Sequence, residues 1–216
     1  MTSLSTADLR VVHVLRVRGF VDTPLVAEVA GMSVDEATSV LTALEAAGHA
    51  RHREGRMSGW MLTSDGRAHG EVLLAEELAG LGCRAEVEGA YSRFLEGNQG
   101  FLGLCTDWQL RPDPGDPSGE PVMNDHADPA YDEAVIGRLA ETDSAIQPVC
   151  AALAALLERF GGYGERFATA LDRVTGGDLD WFTKPMIESY HTVWFELHEN
   201  LLATLGIQRS KEHASG

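Results

Sequence analysis

HARHREGRMSGWMLT, residues 49–63, is the stretch on which the fold turns. Its opening residues read as a strand, Glu54 and Gly55 as a polar tip, and Trp60, Met61 and Leu62 as the end of a returning strand, so a β-hairpin is predicted. Immediately before it, residues 34–47 carry Val34, Ala37, Val40, Leu41 and Leu44 at helical spacing. Ser33 and Glu36 stand in capping-box positions and Gly48 closes the helix. Further upstream a short helix fits residues 23–30, with Thr23 as cap, Pro24 at the first position and Leu25, Val26 and Val29 as its apolar face; Gly31 ends it. Residues 6–18 form the first helix, with Leu9, Val12, His13 or Val14, and Val17 recurring, Ser5 or Thr6 as cap, Asp8 in the first turn and Gly19 as terminator. On the other side of the hairpin, Thr63, Ser64, Asp65 and Gly66 start a further helix that runs to about Gly80.

The turn around Gly31 between two short amphipathic helices has helix-turn-helix spacing, and the hairpin that follows completes the winged-helix order. Leu41-x-Ala-Leu-Glu-Ala-Ala-Gly-His-Ala-Arg51, followed by Trp60-Met-Leu-Thr-Ser-Asp-Gly-Arg-Ala68, resembles the core of winged-helix transcription regulators of the MarR and PadR kind. The resemblance covers about residues 6–75 and implies a DNA-binding module. The expected architecture is therefore mainly α: an N-terminal winged helix of three helices plus a β-hairpin over residues 1–80, then an all-α domain over residues 81–216.

That second part shows helical stretches near residues 84–97, 131–142, 144–160, 163–174 and 184–205. Residues 111–129 hold five prolines and two glycines and read as a long irregular loop. GGYG at residues 161–164 has no preceding strand and reads as a helix break, not a phosphate loop.

With 44% hydrophobic and 23% charged residues, the 216-residue chain has the composition of a packed globular protein. Its net charge of −16 argues against an indiscriminate nucleic-acid binder. Residues 1–70, however, set seven arginines against eight acids, while residues 71–216 set ten bases against 25 acids, so the acid lies outside the proposed DNA-binding part. No apolar run reaches membrane-spanning length and the first residues lack a signal core, which predicts a cytoplasmic protein without a membrane partner. Cys83, Cys105 and Cys150 are widely spaced and odd in number, as expected of buried free thiols.

The polar residues expected on the exposed face of the third helix are Ser33, Thr38, Ser39 and Thr42, with Asp35 and Glu36 in capping positions. Positive charge sits in the hairpin as Arg51, His52, Arg53 and Arg56, and on the first helix as Arg16 and Arg18, suited to phosphate contacts; Trp60 is expected in the hairpin core. In the helical part, Glu188, His191, Phe195 and His198 fall at spacings of three, four and three, which puts them on one face of a helix. Glu188, His191 and His198 are thereby candidate metal ligands, while Trp194, Phe195, Leu197, Leu201 and Leu202 make the helix look largely buried, which favours core. Asp125, His126 and Asp128 offer further polar groups in the long loop. Trp108, Tyr131, Tyr163, Trp181, Tyr190 and Trp194 suit either a helical core or an apolar ligand pocket. No catalytic or cofactor-binding motif is present, so neither an enzyme nor a cofactor is expected.

These readings converge on a DNA-binding transcription regulator. It would act on double-stranded DNA as a homodimer, because one small reading head makes too few contacts, with a small-molecule effector in the helical domain. The alternatives are a winged-helix protein-interaction module and a metal-dependent helical domain with an appended winged helix.

Overall fold

The computed structural model describes residues 5–55, 58–113, 115–116 and 118–208. The chain is mainly helical and divides into two compact units. The first takes in residues 1–88, 154–160 and 196–216; the second takes in residues 89–153 and 161–195.

The first unit begins with α1 (Ala7–Arg18), α2 (Thr23–Ala30) and α3 (Val34–Ala46), continues through the strands β1 (Ala50–Arg53) and β2 (Gly59–Leu62), and reaches α4 (Ser64–Leu81). Each helix start is satisfied by a side chain, as the orphan N–H groups of a first turn require. The Thr6 hydroxyl accepts from the Leu9 N–H at 3.3 Å and Ser33 accepts from Glu36 at 3.2 Å. For α2 the cap is Asp22, which accepts from the Leu25 N–H at 3.0 Å; Thr23, the expected cap, has its hydroxyl engaged by Trp60 instead. The reciprocal half of the expected capping box is absent as well, since the Glu36 carboxylate lies 3.9 Å from the Arg10 guanidinium.

Val11, Val12, Val14 and Leu15 of α1 close over Val26, Ala27 and Ala30 of α2 and Ala37, Leu41 and Leu44 of α3. The expected apolar stripes are thus rotated in part: Leu25 and Val29 of α2 are 37% and 45% exposed and Val34 of α3 is 50% exposed. Small residues took their place because three short helices pack closely only where side chains are short.

The hairpin pairs Ala50 with Leu62, Arg51 with Met61, His52 with Trp60 and Arg53 with Gly59, antiparallel. A bridge between Val21 and Trp60 joins it to the loop before α2. At its exit the Thr63 hydroxyl donates to the Gly48 carbonyl at 2.6 Å and accepts from the Gly66 N–H at 3.0 Å. A Cβ on Gly66 would lie 1.8 Å from the His49 carbonyl oxygen, so only glycine lets α4 start against the α3–β1 corner. The Thr-Ser-Asp-Gly signature has its physical origin there.

Beyond α4, α5 (Arg84–Gln109), most of which lies in the second unit, has 26 residues, nearly twice the length of the expected 84–97 stretch. The helix runs on past Gly97, Gly100 and Gly103 because Phe94, Phe101, Leu104 and Trp108 continue a buried stripe through them. The expected loop at 111–129 is not wholly irregular. β3 (Leu110–Arg111) and β4 (Val122–Met123) pair antiparallel and close its base. Helices expected at 131–142 and 144–160 are one helix, α6 (Pro129–Leu156), followed by a 3-10 turn at Glu158–Phe160. The polar residue that seemed to divide them, Asp143, lies on the buried stripe with Leu139 and Ile146. Gly162, at φ 83°, precedes α7 (Tyr163–Thr175) where a helix break is expected. The short α8 (Asp180–Thr183) follows, and α9 (Tyr190–Leu205) starts six residues later than the expected 184, since Lys184 is already extended.

Candidate nucleic-acid interface

The outward face of α3 carries Ser33, Asp35, Thr38, Ser39 and Thr42, all exposed, and no basic residue. Three of its hydroxyls donate to backbone carbonyls one turn back: Thr38 to Val34 at 2.7 Å, Ser39 to Asp35 at 2.9 Å and Thr42 to Thr38 at 2.8 Å. With their hydrogens so used, these oxygens face solvent as acceptors, suited to the amino groups of adenine and cytosine and unsuited to phosphate. Ser33, its oxygen holding the Glu36 N–H, caps the helix.

Cations suited to phosphate would have to lie elsewhere on the unit. Arg51 and Arg53 lie two residues apart on β1, on one side of the strand; both are exposed, and neither has an ion pair among the described residues. Arg67, in the first turn of α4, is exposed in the same way. Arg56 lies outside the described residues. His52 packs its ring 4.6 Å from that of Trp60, and Trp60 is buried in the hairpin core with its indole N–H on Thr23 at 3.0 Å.

The other expected cations are not free. Arg16 pairs with Glu199 at 3.0 Å and Arg18 with Glu196 at 3.1 Å, both acids on the part of α9 that belongs to the first unit. Arg16 and Arg18 thus fasten α1 to α9. His13, on the same helix, is buried at 6% exposure. Burial, reinforced by the Arg159 guanidinium, depresses its pKa to about 3 although Asn200 lies beside it.

The candidate ligands Glu188, His191 and His198 have separate surroundings. Glu188 precedes α9 and receives the Arg166 guanidinium at 2.6 and 2.7 Å. His191 lies in the second unit, 6.3 Å from the Phe101 ring and with its pKa lowered by burial, and His198 lies in the first. Phe195, read as apolar core, is 46% exposed. Among the described residues no cluster of three His, Cys, Asp or Glu side chains is arranged to hold a metal ion. The loop acids have structural partners: Arg111 holds Asp125 at 2.9 Å, and His126 meets Asp132 at 3.0 Å with its ring 4.5 Å from Trp108. Cys83, Cys105 and Cys150 are buried and unpaired, and burial pushes the Cys105 and Cys150 thiols up to about 12.

Of the aromatic residues expected to form a core or a pocket, Trp108, Tyr163, Tyr190 and Trp194 are buried. A groove of about 570 Å³ nevertheless opens between α5 and α6, with Phe94, Ile146 and Trp194 in its lining and Arg93, Glu96, Arg138 and Glu141 among its polar residues. Sequence reasoning missed these four; the signal was the spacing Arg-x-x-Glu, which occurs once on each helix. No family model, curated protein sequence or solved structure matches the chain. Among the described residues no helix is long and apolar enough to cross a membrane.

Proposed function

We propose that the chain is a DNA-binding transcription regulator that acts as a homodimer, with its first unit a winged helix of the MarR and PadR kind. The observation that carries this reading is the way the hairpin is fixed to the helices. Trp60 bridges to Val21 and bonds Thr23, which holds the guanidinium-bearing β1 in a defined place beside three helices. A wing held in that manner keeps Arg51 and Arg53 at a constant distance from the acceptor face of α3, and base readout combined with phosphate anchoring needs that constancy. The unit's near-neutral balance over residues 1–70 is what lets two exposed arginines act on a phosphate backbone within an otherwise acidic chain. The test is fluorescence anisotropy of the full chain with random-sequence duplex DNA over a range of salt. Binding that weakens linearly in log-log form supports the reading, and no binding at low salt rejects it.

A second reading has an observation of its own. Leu25, Val29 and Val34 form exposed apolar surface on α2 and the start of α3, and Glu28 and Asp35 beside them are exposed acids. A protein segment with apolar residues flanked by lysine or arginine fits that surface better than DNA does. Substituting Leu25 and Val29, both on α2, by serine leaves DNA affinity unchanged if the first reading holds.

A further inference from the structure

We propose that α3 reads DNA through hydrogen-bond acceptors alone, so that it depends on the exocyclic amino groups of adenine and cytosine and is shut out where those groups carry a methyl. The inference rests on the DNA-binding reading above and names what that reading head recognises. The sequence of α3, VDEATSVLTALEA, holds no arginine, lysine, histidine, asparagine or glutamine. Its only side-chain hydrogens able to donate are those of Thr38, Ser39 and Thr42. All three are spent on the helix's own backbone, at the carbonyls of Val34, Asp35 and Thr38. Of the carboxylates, Glu36 lies 3.9 Å from the Arg10 guanidinium and Glu45 accepts from the His52 N–H at 3.0 Å. Asp35 is exposed one turn before Ser39, and its carboxylate has no hydrogen bond or ion pair among the described residues. Val34, half exposed, stands one turn before Thr38 and adds an apolar contact.

In the major groove guanine presents only acceptors, N7 and O6; thymine presents an acceptor and a methyl; cytosine presents the N4 amino donor, and adenine its N6 amino donor beside N7. A helix that can only accept gains from the amino groups. Set against guanine O6 or thymine O4, the Asp35 carboxylate puts acceptor on acceptor, which costs both groups their water without return. A G·C pair is then read through its cytosine and an A·T pair through its adenine, with the thymine methyl left to Val34, and purine N7 goes unread in both. Each amino group has one hydrogen held in the base pair and one pointing into the major groove. A methyl on adenine N6 or cytosine N4 takes the place of the second, so it deletes the donor and sets bulk against the oxygens of Thr38, Ser39 and Thr42. A reader equipped with arginine or asparagine would keep its contacts to O6 or N7 after such a change, whereas α3 has none to keep. Methylation of base nitrogens is therefore the modification that would control whether this head occupies its site.

The experiment is selection of a bound site from a random duplex library with the full chain, followed by anisotropy at fixed salt on the selected duplex with single bases replaced. At the positions that selection defines, 7-deazaadenine and 7-deazaguanine should leave affinity within about twofold, because no donor reaches N7. N6-methyladenine or N4-methylcytosine at the same positions should weaken binding about tenfold each, the discrimination expected of one lost base contact. Thr38→Val and Thr42→Val remove an acceptor while keeping the branched shape. Each should lose the preference and the methyl sensitivity at one base position, with helix content and the slope of log affinity against log salt unchanged. A loss with 7-deaza purines as large as that with methylated amino groups overturns the proposal, since N7 is then receiving a donor. Undiminished binding to the methylated site, or equal affinity for every sequence, overturns it too. All three outcomes leave DNA binding itself standing, whereas a chain that binds no duplex even at low salt removes the regulator reading and this inference with it.

Discussion

The Trp60 indole donates its hydrogen to the Thr23 hydroxyl at 3.0 Å, a bond between residues 37 apart in sequence that ties β2 to the first turn of α2. Both groups lie at the edge of the core, so water replaces the bond poorly once it is broken. Thr23→Val should destabilise the fold by about 1 kcal/mol, and Trp60→Phe by about 2 kcal/mol because ring area is lost too. In urea melts of the two single variants and the double, a coupling energy of about 0.5–1.5 kcal/mol is expected; additive effects would show that the bond is not made in solution.

Two glycines in helices should respond oppositely to alanine. At Gly66 the new Cβ meets the His49 carbonyl, and the corner between α3 and β1 must open, at a cost of about 2–4 kcal/mol. Gly137, within α6, has nothing within 4 Å of such an atom, so alanine there should stabilise by about 0.5–1 kcal/mol through helix propensity. Thermal denaturation of both variants decides the matter, and a tolerated Gly66→Ala would contradict the packing described.

Arginines of two kinds are distinguishable by salt. On the proposed reading of a DNA-bound dimer, Arg51→Ala with Arg53→Ala would remove up to four phosphate contacts, so the slope of log affinity against log salt should fall by about 3 to 4 and all duplex sequences should be weakened alike. Arg16→Ala or Arg18→Ala breaks an ion pair with α9 and should lower stability while leaving that slope as it was. Equal slopes for all four substitutions would remove the hairpin from the DNA contact.

Acid stability carries the signature of His13. Folded His13 stays neutral down to about pH 3, whereas an unfolded histidine takes up its proton near 6.5. Between those values the unfolded chain binds more protons, so stability is lost as pH falls, by up to about 1.4 kcal/mol per pH unit. His13→Leu should flatten that loss. Asp143 contributes with the opposite sign. Burial raises its pKa, despite donors from Gln147 and Tyr190, so its contribution is greatest in acid and is lost as pH rises above the ordinary carboxylate value of 3.8. Asp143→Asn should therefore steepen the net acid loss, and a melting temperature with the same pH profile in both variants would refute the assignment.

Local rules located most of the first unit in the sequence. Caps, glycine stops and period-3.6 patterns placed α1, α2, α3 and the hairpin within a residue or two of their observed ends, because each of those signals acts over four or five residues. The rotation of Leu25, Val29 and Val34 to the surface was not legible, since it depends on which small residues let three helices approach. In the second unit the expected stretches stopped at 97 and divided at 143, yet tertiary burial of Phe101 and Ile146 carries both helices through. At the candidate interface the exposed hydroxyls and hairpin arginines could be read directly. The capture of Arg16 and Arg18 by Glu199 and Glu196 could not, because nothing local announces a partner some 180 residues away.

That capture bears on how the protein is made. Ribosomes deliver α1 early and the Glu196–Leu205 half of α9 late, so the first unit waits for almost the whole described chain before its polar seam can close. During that interval Arg16 and Arg18 lack the carboxylates that later hold them, and the α1 surface carries two cations that the folded unit pairs. The charge of that surface is therefore fixed by residues made some 180 positions after it.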